Sequence, residues 1–361
     1  MSSATLSLDT LGAHVGRLWE AVAGGDEYAA GEAVLDALED EVAPESVLLD
    51  MIGFVQRKAG EEWAANRFSV AQEHAATAIN ERVIGTLVHA GERPVVTRGR
   101  ITVACVDGEW HALPARLLAE VLRLRGFRVD YLGAQVPSPH LITHLHRTGP
   151  DAVALSGSIP TRLPTAHATI TACQAAGVPV IAGGAAFGPD GRYAKLLGAE
   201  AWAPDARAAA DRLAEAPLPR PKAGHQPIDD LPHLADQEFT MITRTSGQLV
   251  KAMYSGLEER VPAMRAYTEQ QRQYTAEDLA HIVEFLATAL YTGDGELFTG
   301  FLTWTAEILA ARGVPALTLP PAVELLRSEL RDFPRADGML EQALGHLRGS
   351  LGPVPDHGKP A

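Results

Sequence analysis

A histidine stands just beyond a hydrophobic strand in the run Val103-Ala-Cys-Val-Asp107-Gly108-Glu109-Trp-His111-Ala112-Leu113-Pro114, at the loop that opens the next helix. In a sheet of parallel strands that position is the carboxyl edge, where ligands bind. Two further loops reach the same edge. Leu155-Ser156-Gly157-Ser158 ends the third strand and Ile181-Ala-Gly183-Gly184-Ala-Ala-Phe187 ends the fourth. Small residues at such loops let a large ligand come close to the backbone. The plainer alternative is that His111 only caps a helix and Gly183-Gly184 is an ordinary turn. A dinucleotide is disfavoured, because the Gly-x-Gly-x-x-Gly signature is missing after the first strand.

A second group lies earlier, in Trp63-Ala-Ala-Asn-Arg-Phe-Ser-Val70-Ala-Gln-Glu73-His74. Read as one continuous helix at about 100° per residue, this stretch turns Trp63, Val70 and His74 to within roughly 20° of one direction, with Glu73 on the flank. One helix face would then present an indole, an aliphatic contact and an imidazole to the same neighbour. Trp and Val at this spacing commonly fill a bundle interior. An adjacent Glu-His pair on such a stripe asks for more, since burying both has a cost unless they have partners.

The elements that must position these groups fall into a multidomain α and α/β chain. Residues 1–95 carry apolar positions at helical spacing, as in Val47, Leu48, Met51, Ile52 and Val55, with Pro44 where a helix can begin, and predict a four-helix bundle. Residues 98–215 alternate short β-rich runs (101–106, 129–132, 152–155, 178–181 and 199–203) with helix-length segments, which implies a parallel, doubly wound, Rossmann-like (flavodoxin-like) sheet. Residues 216–236 hold Pro217, Pro219, Pro221, Pro227 and Pro232 and read as a linker. Residues 237–351 return to helical periodicity with Phe285, Tyr291, Phe298, Phe301 and Trp304 on the apolar face, a third, all-helical domain. The net charge of -14 repels phosphate backbones, so no direct nucleic-acid contact is expected. Neither a membrane span nor a secretion leader is visible, and the expected compartment is the cytoplasm. Cys105 and Cys173 sit in segments that read as buried, and nothing beside them suggests a disulfide or zinc site.

The ordered loops resemble the cobalamin-binding domain of methionine synthase, the mutases and the corrinoid photoreceptors, whose pattern is Asp-x-His-x-x-Gly, then Ser-x-Leu, then Gly-Gly. Here Glu109-x-His111-x-x-Pro114, Ser156-Gly-Ser158 and Gly183-Gly184 follow in the same order. The resemblance implies His111 as lower ligand of cobalt, replacing the cofactor's own dimethylbenzimidazole. The displaced nucleotide tail would enter a slot beside the sheet, lined by the serine and the glycines. Glu109 stands for the aspartate and can hold the far imidazole nitrogen. Pro114 fixes a φ that glycine leaves free, so the helix is expected to start differently. The tryptophan, nine residues, then Glu-His resembles the cap of the light-sensing adenosylcobalamin regulators, which implies Trp63, Val70, Glu73 and His74 over the upper face. Those regulators carry an N-terminal DNA-binding module, whereas this chain begins almost directly with the bundle. They also have a histidine where Ala64 stands, so a second histidine ligand cannot come from that position.

Tyr274 to Phe285, followed by Leu297 to Trp304, resembles the globin-like (phycobiliprotein-like) helical domain of the photocobilins, which pair cobalamin with biliverdin. Both cysteines lie in the corrinoid domain, so a bilin in the third domain would be held without a thioether. Its propionates need cations and its pyrrole nitrogens a polar group. Arg244, Arg260, Arg272 and His281, beside Tyr254, Tyr291 and Trp304, are the candidates. A partner-docking or oligomerisation bundle is the other reading of these helices. The expectation for the whole is a light sensor rather than an enzyme, binding adenosylcobalamin and biliverdin, with a second copy or a downstream protein as its partner. The alternatives are a methyl-carrying corrinoid protein of a methyltransferase system and a non-catalytic regulatory scaffold.

Overall fold

The computed structural model describes residues 3–91, 94–221, 231–314 and 318–351. The chain divides into two compact units, Met1–Pro227 and Ile228–Ala361. Residues 222–230 of the proline-rich stretch, Pro227 among them, lie outside the described residues.

In the first unit, helices α1 (Ser3–Gly24) and α2 (Glu27–Glu39) are followed by a helical run over 44–64. That run consists of α3 (Pro44–Ser46), a π-helical segment (Val47–Ile52) and α4 (Gly53–Ala64). Helix α5 (Val70–Ala90) completes the bundle. Start signals in the sequence explain these boundaries: Asp26 accepts hydrogen bonds from the Tyr28 and Ala29 N–H groups, and Pro44 occupies the first turn of α3. Leu18, Val34, Met51, Ile52, Val55 and Ile84 are buried at the bundle centre.

The expectation of one continuous helix from Trp63 to His74 is corrected. Helix α4 ends at Ala64, and α5 begins afresh at Val70. Asn66, at φ +58°, turns the chain in the left-handed region that asparagine tolerates. Ser69 and Gln72 then close a capping box, with Gln72 N–H donating to Ser69 Oγ at 3.2 Å and Ser69 N–H donating to Gln72 Oε1 at 2.9 Å. Periodicity alone missed this stop-and-start signal.

A five-stranded parallel sheet follows, ordered β2-β1-β3-β4-β5: β1 (Arg100–Cys105), β2 (Arg128–Gly133), β3 (Ala152–Ser156), β4 (Val180–Gly183) and β5 (Ala201–Ala203). The connecting helices are α6 (Leu113–Leu124), α7 (Ser138–Thr148), α8 (Leu163–Ala175) and α9 (Arg192–Leu196), and α10 (Ala206–Glu215) follows β5. Pro114 stands in the first turn of α6, where a missing N–H has no cost. β1 and β3 pair side by side, Cys105 opposite Ser156. From β1 the chain crosses to β2 on one side, and from β3 it crosses to β4 on the other. The carboxyl ends of β1 and β3 therefore flank a topological switch point, the crevice where ligands bind in such sheets.

Helices α6 and α10 pack together, and α7 packs with α8. The bundle and the sheet share one apolar core running from Leu18 to Leu218. Charged groups ring their junction: Arg125 donates to Glu45 at 2.7 Å, and Arg207 reaches both Glu45 and Asp50. Glu45 is held below its ordinary pKa chiefly by the Arg125 hydrogen bond, which with the weaker one from Arg207 outweighs the opposing effect of burial.

The second unit is helical among its described residues: α11 (Glu238–Arg260), α12 (Glu269–Thr292), α13 (Gly295–Ala311), α14 (Leu319–Glu329) and α15 (Pro334–Leu351), with short 3-10 turns. It has its own core, centred on Ile242, Met253, Leu286, Phe298, Val323 and Leu340. Among the described residues no helix is long and apolar enough to cross a membrane.

Candidate functional site

The loop after β1 holds a wired acid–imidazole pair. Glu109 is buried and its two oxygens are both occupied: Oε1 accepts from the His111 N–H at 2.9 Å and faces His111 Nδ1 at 2.6 Å. Oε2 accepts from the Ser158 N–H at 2.7 Å and the Ile159 N–H at 3.1 Å. One carboxylate thus ties the β1 loop to the β3 loop across the switch point. Burial opposes ionisation of Glu109, but the hydrogen bonds from the His111 side chain and from three backbone N–H groups prevail and bring its carboxyl down to about 2. The hydrogen bond to Glu109 raises the pKa of His111, with burial working against it. A carboxylate only accepts, so Nδ1 carries the proton and Nε2 of the neutral ring keeps its lone pair. The His111 side chain is 55% exposed, so its outer part is open to a ligand.

Asp107 and Gly108 form the turn before this pair, with Gly108 at φ +79° and the Arg162 guanidinium lying against it. Ala112 is half-buried and its carbonyl accepts from the Tyr131 hydroxyl at 3.3 Å. Leu113 and Phe187, expected among the cofactor-binding residues, are buried, and Phe187 packs against Gly157. Cys105 and Cys173 are buried, and burial pushes both thiols up to about 12, which leaves them unreactive.

Ser156, Gly183 and Gly184 line a cavity of about 110 Å³ beside the sheet. Gly184 has φ +99° and its Cα lies so close to the Gly157 carbonyl that a side chain there would collide with it. The opposite wall consists of Pro114 and Leu118 of α6 with Pro204, Asp205, Ala206 and Ala209 from the start of α10. Apart from Pro114, these wall residues went unread in the sequence; Leu118 lies one helical turn beyond Pro114, but the contribution of α10 depends on the packing of α6 against α10.

On the bundle, Trp63 lies in the last turn of α4 while Val70, Glu73 and His74 open α5, so they stand on two helices either side of a turn and not on one helical phase. Val70 is 56% exposed. Glu73 Oε2 lies 2.8 Å from His74 Nδ1, and Glu73 Oε1 accepts from the Thr77 hydroxyl at 3.0 Å and from Gln56 Nε2 at 3.3 Å. Gln56 also donates to Thr77 and accepts from Asn80 Nδ2 at 2.8 Å, three partners that sequence reasoning did not single out. The Glu109 hydrogen bond is the main cause of the raised pKa of His111, and the Glu73 charge adds a smaller contribution in the same direction. Among the described residues no group of three or more His, Cys, Asp and Glu is arranged to hold a metal by itself.

In the second unit the residues expected to contact a bilin have the following surroundings. Arg260 pairs with Glu324 at 3.1 Å, Arg272 donates to the Tyr267 carbonyl, and Tyr291 is buried against Phe239. Arg244 and His281 are exposed, and the Tyr254 hydroxyl is buried without a hydrogen-bond partner. Phe285 stacks on Phe301 with ring centres 3.8 Å apart, and Trp304, 46% exposed, continues the row.

Residues 99–213 match the family model of a B12 binding domain, and residues 15–87 match a second B12 binding domain model. The first unit is therefore built of B12 binding domains. Among characterised proteins the chain is similar to the HTH-type transcriptional repressor CarH of Myxococcus xanthus, 32% identical over 166 residues, 45% of this chain and 51% of that protein. The chain thus spans about half the length of that relative. Two similar solved structures are the monomethylamine corrinoid protein of Methanosarcina barkeri (19% identity, TM-score 0.46, 55% of this chain and 95% of the other) and a cobalamin-binding protein from Desulfitobacterium hafniense (22%, 0.31, 56% and 97%).

Proposed function

We propose that the first unit binds cobalamin between the sheet and the bundle, with His111 Nε2 as lower ligand of cobalt, and that the protein is a light-responsive regulator. The observation that carries this reading is the Glu109–His111 pair at the switch point, with Nδ1 engaged and Nε2 open. A single imidazole is a poor cage for a bare ion but completes the shell of a metal that arrives with its own ring of ligands, and imidazole suits late transition metals. Glu109 orients the ring and fixes its tautomer, as carboxylates do behind metal-bound histidines. The cavity lined by Ser156, Gly183, Gly184 and α10 fits the narrow tail of such a ligand. Asp107, Gly108, Ala112, Gly157 and Ser158 shape the edge beneath the ring.

Trp63, Val70, Glu73 and His74 form the cover in this reading. Bound adenosylcobalamin supplies a light-labile cobalt–carbon bond; the chain supplies an apolar lid that responds when the upper group leaves. The output is a rearrangement of the bundle read by a second copy or a downstream protein in the cytoplasm, without direct nucleic-acid contact. The name of the relative supports a regulatory role. For the second unit we propose a globin-like fold that binds biliverdin non-covalently; the Phe285–Phe301–Trp304 row supports a flat ligand, with Arg244, Arg260, Arg272 and His281 as cations and Tyr254 and Tyr291 as polar contacts. The test of the lower ligand is His111→Ala reconstituted with hydroxocobalamin. The cobalt absorption bands should shift and affinity should fall. Unchanged bands and affinity would remove the reading, and turnover of a methyl donor in darkness would favour a methyl-carrying protein instead.

A further inference from the structure

Asn80 is fully buried in the bundle and its Oδ1 has no hydrogen-bond partner, an arrangement that is costly to keep. Its other end is engaged: Nδ2 donates to Gln56 Oε1 at 2.8 Å. That bond fixes the orientation of the Gln56 amide, because Oε1 faces Asn80 and Nε2 must then point the other way, toward Thr77 Oγ1 at 2.7 Å and Glu73 Oε1 at 3.3 Å. The Thr77 hydroxyl in turn donates a hydrogen bond to the same Glu73 oxygen at 3.0 Å. With Oε1 held from the bundle interior, the second oxygen, Oε2, is left for His74 Nδ1 at 2.8 Å, and the imidazole is turned outward, 76% exposed. A chain of hydrogen bonds therefore runs from the apolar core of the bundle to its exposed first turn of α5, crossing from α5 to α4 and back.

We infer that Asn80, Gln56 and Thr77 are positioning residues that set the Glu73–His74 pair for the upper group of the ligand, an inference that rests on the cap reading given above. None of the three needs to touch the ligand. The packing argument points the same way: at a fully buried site between Ala76 and Val83, Ile84, a leucine would serve the core better than an amide with an unmet acceptor, so a stability role alone does not account for Asn80. Buried polar networks whose members depend on each other specify one geometry at the expense of stability.

The test uses the full chain in the dark and compares equilibrium binding of adenosylcobalamin with that of hydroxocobalamin, whose upper ligand is small. The wild-type protein should prefer the adenosyl form. Gln56→Leu and Asn80→Leu should each lower that preference by about three- to tenfold, the effect of one hydrogen bond, with hydroxocobalamin affinity unchanged. In a Glu73→Gln background neither change should lower it further, since contributions that pass through Glu73 do not add. Asn80→Leu should melt no lower than wild type, and in ligand-free protein it should shift the NMR signals of the Gln56 side-chain amide. An unchanged preference in both variants, or equal weakening of the two cobalamin forms together with a lower melting temperature, would overturn the inference. A wild-type protein without any preference would remove the cap reading itself, whereas a wild-type preference that both variants retain removes only the positioning role.

Discussion

Glu109 makes its loop sensitive to acid in a direction that follows from its hydrogen bonds. Its folded pKa of about 2 lies below the ordinary 4.5, so ionised Glu109 contributes stability that is present above about 4.5 and is lost as pH falls toward about 2. His111 has the opposite sign: its pKa is raised, so its contribution is full below the ordinary 6.5 and disappears as pH rises through the folded value. Glu109→Gln should remove both dependences, and chemical denaturation of the first unit between pH 2 and 5 should show a shallower loss in the variant than in wild type. Equal slopes would mean that the pair is not the coupled unit described. At this scale the sequence was informative where chemistry and position coincide, as with His111 one loop beyond β1 and Glu109 two residues before it. It was silent on Gln56 and Asn80, because a bond between residues 24 apart exists only once α4 and α5 are packed.

At the scale of elements, the turn between α4 and α5 joins the residues of the proposed cap. Asn66 and the Ser69 capping box lie between Trp63 and the Glu73–His74 pair, so loosening the cap of α5 should loosen the proposed lid. Ser69→Ala should cost about 1 kcal/mol, with amide exchange faster in the first turn of α5 and unaffected in β1. Unchanged exchange there would show that tertiary contacts, not the capping box, hold that turn. The helical period was read correctly on both sides of this break but carried through it, since Trp63, Val70 and His74 happen to share a phase. The strand runs were legible to within one or two residues, because short β-branched segments bounded by small residues have few other interpretations.

For the molecule as a whole, two separate cores mean that two kinds of ligand can be tested apart. The cysteines Cys105 and Cys173 belong to the first unit, so the second unit carries no thiol of its own to tether a bilin. Protein loaded with biliverdin should show a sharpened long-wavelength band, and unfolding in acid should release the pigment from the chain on a desalting column. Pigment that stays with the chain contradicts the non-covalent reading, and no band at all reduces the second unit to a docking module. The sequence conveyed the helical character of this unit but not its site, since aromatic residues at helical spacing fill a core as readily as they line a pocket. Phe298 does the former, while Trp304 remains exposed.

The central claim is that a protein imidazole from His111 replaces the cofactor's own base beneath cobalt. The direct measurement is electron paramagnetic resonance of the protein reconstituted with cobalamin and reduced to cobalt(II), prepared once with natural nitrogen and once with uniformly 15N-labelled protein and unlabelled cofactor. The axial nitrogen splitting should change from a triplet to a doublet on labelling and should lose that doublet in His111→Ala. A triplet that persists in labelled protein would mean that the dimethylbenzimidazole stays on the metal and that His111 is not its ligand.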